Sequence, residues 1–147
     1  ELRALLEGSG CTYHFRSAGP AAAEVEVAVG DTTGELQQLA QLADLVFVGK
    51  SLAPHIGGQT PVEAALLGKP VLHGPNMTNF RDIIRSLTEA GAVRRVESAA
   101  ELVRVAGEML ASAPQREGLA QAAREWSATN RGATERTLAA IQAAGAP

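Results

Sequence analysis

Residues 43–81 read ADLVFVGKSLAPHIGGQTPVEAALLGKPVLHGPNMTNFR, and this stretch decides the fold that we predict. Two short apolar runs, residues 45–48 and 70–72, flank a polar loop containing Gly57 and Gly58 and a segment rich in alanine and leucine at 60–67. Short apolar runs separated by a helical pattern indicate buried parallel strands joined by a helix. The stretch therefore predicts one strand–loop–helix–strand unit, whose helix ends at Gly68.

The same alternation continues on both sides of this unit. Apolar or alternating runs predict strands at 11–15, 25–29 and 92–96, and helical periodicity predicts helices at 2–6, 36–43 and 80–90. Ser98-x-x-Glu101 predicts a capping box that starts a further helix, and helical patterns follow from Pro114 and after the segment 130–132. We therefore predict an α/β fold, with a parallel sheet covered by helices on both faces and a helical C-terminal tail.

Composition bounds the class of protein. With 147 residues, of which 46% are hydrophobic, the chain is long enough for one compact domain. A net charge of −3 and 3% aromatic residues argue against nucleic-acid binding. The single cysteine, Cys11, has no partner for an internal disulfide. The sequence contains no cluster of Cys and His residues, so it does not indicate a structural zinc site. No apolar run approaches the roughly 20 residues that span a bilayer, so we expect any membrane association to be peripheral.

Two loops are candidates for ligand binding. Ligands of parallel sheets bind at the carboxyl ends of the strands, where this chain places residues 30–35 and 49–60. The second loop ends in Gly57-Gly58-Gln59-Thr60-Pro61, a pattern typical of a threonine cap followed by proline at the first helical position. Free backbone N–H groups at such a helix start suit an anion such as a phosphate.

Each candidate also has a structural interpretation. Glu63 stands three residues after Thr60, so its carboxylate either completes a capping box or accepts hydrogen bonds from the ribose hydroxyls of a nucleotide. Gly57-Gly58 is either a flexible turn or a close approach of backbone to a phosphate. Thr33-Gly34-Glu35 is either the cap and first turn of the next helix or a backbone edge that binds a base. Residue type and spacing do not decide between these alternatives.

Other polar residues indicate no catalytic group. His14 and His73 lie in or beside strands and are predicted to pack, while His55 lies in the candidate loop without a carboxylate or nucleophile at a telling spacing. Ser51 lacks the Gly-x-Ser-x-Gly context of a hydrolase nucleophile. Asn79 is predicted to cap the helix that begins at Phe80. We also predict that Trp126 packs against the core.

A longer run carries a resemblance to a known family. The sequence GDTTGELQQLAQLADLVFVGKSLAPHIGGQTPVEAALLGKPVLHGPNMTNFRDI resembles the C-terminal, nucleotide-binding half of the 3-deoxy-D-manno-octulosonic acid (Kdo) transferases. Residues 25–96 resemble that half of the Kdo transferases throughout, and the helical tail resembles it loosely. The resemblance implies a GT-B glycosyltransferase: two Rossmann-like halves with the active site between them. It also implies transfer of Kdo from CMP-Kdo to the lipid A precursor, in lipopolysaccharide biosynthesis.

The resemblance assigns the two candidate loops to the CMP moiety. It implies that one contacting segment is Thr33, Gly34 and Glu35, and that the other contains Thr60, Pro61, Val62 and Glu63. With the preceding loop residues, the predicted donor-binding set is Thr33, Gly34, Glu35, Gly58, Gln59, Thr60, Pro61, Val62 and Glu63. The chain departs from the family pattern where it has Gly49-Lys50-Ser51 for Gly-Gly-Ser and Gly58-Gln59-Thr60 for Gly-His-Asn.

The resemblance further implies that residues 1–147 are a single, incomplete CMP-binding domain, without the N-terminal half that carries the catalytic carboxylate and the acceptor site. We expect this chain to contain no catalytic residue, to be soluble and to be inactive alone. The intact enzyme is expected to invert configuration in a single displacement at the cytoplasmic face of the inner membrane, associating with it peripherally. No Asp-x-Asp motif occurs, so we expect neither a metal nor another cofactor.

Two alternatives remain. A Gly-Gly loop followed by a helix containing Glu also fits a UDP-sugar GT-B transferase or a related epimerase-like domain. A non-catalytic nucleotide-binding module fits the same residues.

Overall fold

The computed structural model describes residues 2–130 and 133–144. Seven α-helices and five strands are assigned within them, with two short 3₁₀ turns at Arg16–Ala18 and Thr78–Phe80. In chain order the elements are α1 (Leu2–Ser9), β1 (Tyr13–Phe15), β2 (Val27–Val29), α2 (Leu36–Gln41), β3 (Val46–Phe47), α3 (Val62–Leu66), β4 (Val71–His73), α4 (Arg81–Glu89), β5 (Val93–Arg95), α5 (Ala99–Ala111), α6 (Ala113–Asn130) and α7 (Ala133–Ala144).

The chain divides into two compact units, Glu1–Leu39 and Ala40–Pro147. Each unit has its own sheet, and all strand pairs are parallel. In the first unit β1 pairs with β2, with Tyr13 opposite Val27. The Glu26 carboxylate accepts hydrogen bonds from the Thr12 N–H (2.8 Å) and hydroxyl (3.1 Å) beside this pair. The single CMP-binding domain predicted above stays a prediction.

In the second unit β4 lies between β3 and β5 and is completely buried. Successive strand residues face opposite sides of a sheet, and here Val71 and Leu72 belong to two different core clusters. Val71 packs in a cluster that includes residues of α3, α4 and α6, whereas Leu72 packs with Val105 and Met109 of α5. Helices therefore cover both faces of this sheet, which confirms the predicted α/β class with parallel strands.

Most element positions follow the sequence pattern, and α5 begins as predicted. The Ser98 hydroxyl accepts a hydrogen bond from the Glu101 N–H (3.2 Å), and the Glu101 carboxylate accepts one from the Glu97 N–H (2.8 Å). Trp126 packs against the core, and its indole N–H donates to the Ser86 hydroxyl (2.8 Å).

Three predicted details need comment. The helix predicted at 60–67 is assigned only over Val62–Leu66, with Pro61 at its N-cap. Asn79 does not cap α4 but lies within the 3₁₀ turn Thr78–Phe80, and no side chain caps α4. Arg131 and Gly132, predicted to precede the last helix, lie outside the described residues.

No helix in the described ranges is both long and apolar enough to cross a membrane.

Candidate functional site

The candidate site of the second unit is built by the glycine loop, residues 49–60, which leaves the carboxyl end of β3. The loop closes on itself through two backbone hydrogen bonds. The Gly58 N–H donates to the Lys50 carbonyl (3.2 Å), and the Gln59 N–H donates to the Gly49 carbonyl (2.9 Å). These bonds return the chain to the end of β3 before α3 begins, so the predicted site residues 58–63 lie at the edge of the sheet where ligands of parallel sheets bind.

Gly57 and Gly58 are buried and tightly packed. Their φ angles are +101° and +67°, a backbone region that favours glycine. A Cβ at Gly57 would lie 2.6 Å from Nδ2 of Asn79, and a Cβ at Gly58 would collide with the Met77 sulfur. The pair is therefore a fixed turn rather than a flexible one, and it exposes no side chain of its own.

Thr60 and Pro61 precede α3, whose first residue is Val62, so Pro61 stands at the cap position and not, as predicted, at the first helical position. The Thr60 hydroxyl accepts a hydrogen bond from the Val62 N–H (3.2 Å). Pro61 is buried, has helical angles (φ −88°, ψ −7°), and its carbonyl accepts from the Ala65 N–H (3.1 Å). Because α3 has only five residues, its aligned peptide dipoles are few, and individual N–H groups matter more than the field of the helix.

Glu63 does not complete the capping box that was one of its two interpretations. The Thr60 hydroxyl bonds to Val62 instead, and among the side-chain hydrogen bonds of the described residues none engages the Glu63 carboxylate. Its Oε2 is buried without a partner. A buried carboxylate oxygen without a donor is unfavourable, so this group has acceptor capacity that no donor among the described residues uses.

The other predicted segment lies in the first unit. Thr33 and Gly34 are exposed, and Gly34 has a φ of +88°. The Glu35 carboxylate is engaged within the unit, since it accepts from the Thr32 hydroxyl and from Arg16 (3.1 Å). These hydrogen bonds, chiefly the one from Thr32, lower the pKa of Glu35. Backbone groups at 33–35 are thus freer to contact a ligand than the Glu35 side chain.

His73 ends β4 and is buried, as its strand position predicts. Its Nδ1–H donates to the Gly74 carbonyl (2.8 Å), whereas Nε2 is buried without a partner. Burial lowers the pKa of His73 below its ordinary value. His55 is exposed. Within the described ranges no three His, Cys, Asp or Glu side chains group together as a metal site.

Sequence reasoning missed the role of Ser51. From the sequence, this residue was considered only as a nucleophile. In the structure Ser51 is fully buried, and its hydroxyl donates to the Val48 carbonyl and accepts from the Gly74 N–H (2.8 Å). Ser51 and Gly74 are 23 residues apart, so no local pattern signals the contact.

Known proteins similar to the chain share one name. A comparison with protein-family models finds no match. The 3-deoxy-D-manno-octulosonic acid transferase of Bordetella pertussis is 39% identical over 144 residues, which are 97% of this chain. The chain is homologous to part of a Kdo transferase. The Kdo transferase of Haemophilus influenzae is 40% identical over 114 residues, or 77% of the chain. The chain spans about a third of the first of these relatives and about a quarter of the second (33% and 26%).

A solved structure extends this relation to the fold. The C-terminal CMP-Kdo binding domain of WaaA from Acinetobacter baumannii matches 85% of this chain with a TM-score of 0.79 and 27% sequence identity, and the match covers 65% of that domain's chain. The resemblance to the C-terminal half of the Kdo transferases, predicted from the sequence, is therefore confirmed.

Proposed function

We propose that this chain is the donor-binding domain of a glycosyltransferase that transfers Kdo from CMP-Kdo to the lipid A precursor. The observation that carries the proposal is the 39% identity to a Kdo transferase over 97% of the chain. The structural likeness to a domain described as CMP-Kdo binding supports the same function. Because the chain spans a third of that relative, the activity belongs to a longer protein.

In the second unit we propose that residues 58–63 bind the CMP moiety. The paired glycines are buried, so a phosphate would reach the loop at the exposed Gln59 and the half-buried Thr60 that follow them. Glu63 supplies a carboxylate without an internal hydrogen bond, and ribose hydroxyls are donors that match it. A donor reaching this carboxylate would also relieve the cost of its unpaired oxygen.

In the first unit we propose that Thr33, Gly34 and Glu35 contact CMP mainly through their backbone. Thr33 and Gly34 are exposed, while Arg16 and Thr32 occupy the Glu35 carboxylate. A base is recognised well by such backbone donors and acceptors, since its edge offers complementary groups in a fixed plane.

For the intact enzyme we propose an inverting single displacement. A carboxylate outside these 147 residues deprotonates the acceptor hydroxyl, which attacks the anomeric carbon of Kdo as CMP leaves. The donor-binding loop stabilises the negative charge that develops on the phosphate of the leaving group. The acceptor site lies in an N-terminal half, and the enzyme associates peripherally with the cytoplasmic face of the inner membrane.

Calorimetric titration of the purified chain with CMP and with UDP tests the proposed ligand. We expect CMP to bind more tightly than UDP, and binding of CMP to be unchanged by EDTA, since the sequence contains no Asp-x-Asp motif. A clear preference for UDP would contradict the Kdo function and favour a UDP-sugar enzyme. Loss of CMP binding in EDTA would contradict the proposal that no metal is needed.

A further inference from the structure

The glycine loop is joined to a second loop that leaves the central strand. This β4 loop, residues 74–77, follows His73 at the carboxyl end of β4. Ser51 makes the main connection. Its hydroxyl accepts from the Gly74 N–H (2.8 Å) and donates to the Val48 carbonyl, while its own carbonyl accepts from the Asn76 N–H (2.9 Å). One serine at the start of the glycine loop therefore accepts hydrogen bonds from two backbone N–H groups of the β4 loop.

The two loops also approach as closely as their backbones allow. A Cβ on Gly74 would collide with the Ser51 carbonyl oxygen and lie 2.5 Å from the Ser51 carbonyl carbon. Further along, the Asn76 amide donates to the His55 carbonyl (2.7 Å), and the Asn79 N–H donates to the Gly57 carbonyl (3.2 Å). The glycine loop is thus attached at its beginning, middle and end.

We propose that Ser51 is a positioning residue that fixes the glycine loop in its donor-binding conformation before the ligand arrives. The proposal rests on the proposed function of residues 58–63 as part of the CMP site. Ordering a loop on binding costs conformational entropy, so a loop that is already held gives tighter binding with the same contacts. Ser51 reaches no ligand in this scheme and acts only through the backbone of the two loops.

The Ser51 hydroxyl is well suited to this role because it is both donor and acceptor in a fully buried place. Ser51→Ala replaces the hydroxyl with hydrogen, which leaves the Gly74 N–H and the Val48 carbonyl without these partners. Both loops then gain freedom, whereas neither core cluster includes Ser51. The effect of Ser51→Ala should therefore concentrate in the loops.

Site-resolved amide hydrogen exchange of the unliganded chain tests the connection itself. In Ser51→Ala we expect the Gly74 amide, which loses its acceptor, and the amides of Gly58, Gln59 and Asn76 to exchange about tenfold faster or more. The Ala92 amide, which bonds to the Leu87 carbonyl away from both loops, should be unchanged. The matched control is Ser127→Ala, which alters another buried serine, on α6, and should leave the loop amides unchanged. Unchanged loop exchange in Ser51→Ala would overturn the proposal.

Titration of the same variants with CMP tests the consequence for binding. We expect Ser51→Ala to bind CMP about fivefold to tenfold more weakly at a temperature where it is fully folded, and Ser127→Ala to bind like the wild type. Faster loop exchange with unchanged CMP affinity would overturn the positioning role. If the wild type does not bind CMP, the proposed donor site fails, while the exchange result still decides whether Ser51 holds the loops.

If Ser51→Ala does not fold, Asn76→Ala carries both measurements. It removes only the exposed hydrogen bond from the Asn76 side chain to the His55 carbonyl, so folding should survive. We then expect faster exchange at Gly58 and Gln59 and about twofold to threefold weaker CMP binding. Wild-type exchange and affinity in this variant would contradict the proposal.

Discussion

Replacing Glu63 with glutamine tests the proposed ribose contact directly. The Glu63 carboxylate makes no side-chain hydrogen bond within the described residues, and its Oε2 is buried without a partner. Glutamine keeps the size of the side chain and removes its charge, so it breaks no internal bond. We therefore expect Glu63→Gln to change the free energy of unfolding by less than about 1 kcal/mol.

The effect on the ligand complex should be larger. A hydrogen bond to a charged group contributes about 1.5–3 kcal/mol, against about 0.5–1.5 kcal/mol for a neutral one. The difference of roughly 1–1.5 kcal/mol corresponds to about tenfold weaker CMP binding. Calorimetry measures the dissociation constants of both proteins, and urea unfolding checks that both are folded.

A control separates the contact from a general effect of charge. Glu125→Gln removes one negative charge from α6, where the carboxylate accepts a hydrogen bond from the exposed Gln121 amide. We expect this variant to bind CMP like the wild type. The ribose contact is refuted if Glu63→Gln binds within about twofold of the wild type, or if both variants weaken binding equally.

Three further predictions concern stability. The folded chain lowers the pKa of His73, so the unfolded chain takes up more protons as the pH falls below about 6.5. The free energy of unfolding should therefore decrease below that pH. A urea midpoint that is unchanged between pH 7 and 5, or that falls equally in His73→Asn, would contradict this. Leu87→Ala, at a fully buried position of α4, should cost about 2–5 kcal/mol by urea unfolding, and a loss under about 1 kcal/mol would show that the cluster repacks. Ser98→Ala should cost about 0.5–2 kcal/mol through the lost α5 cap, whereas Ser98→Gly should cost less; equal stability of Ser98→Ala and wild type would exclude a contribution from the cap.

The sequence predicted those features that depend on neighbouring residues. The short apolar run at residues 70–72 indicated a buried strand, and the strand lies between two others with helices on both faces. Ser98 and Glu101 predicted the start of α5, because the hydrogen bond from the Glu101 N–H to the Ser98 hydroxyl joins residues only three positions apart. The resemblance to Kdo transferases came from several such segments in one order, and the comparisons confirm it.

The sequence did not predict contacts between distant segments. The resemblance implied that Glu35 contacts CMP, but spacing did not show that Arg16, 19 residues earlier, pairs with its carboxylate. Glu63 had the spacing of a capping box, but the Thr60 hydroxyl bonds to Val62, which spacing alone does not exclude. The buried connection from Ser51 to Gly74 follows from how two strand ends meet, and only the folded backbone specifies it.

The division of β4 between two core clusters also governs where this domain tolerates a change in chain length. Inserting one residue between Val71 and Leu72 would reverse the direction of every later side chain on the strand, so Leu72 would move to the face that Val71 occupies. An insertion at the exposed positions 53–56 of the glycine loop leaves both faces intact. Length variation compatible with folding therefore belongs to the tip of that loop, and the central strand must keep its number of residues.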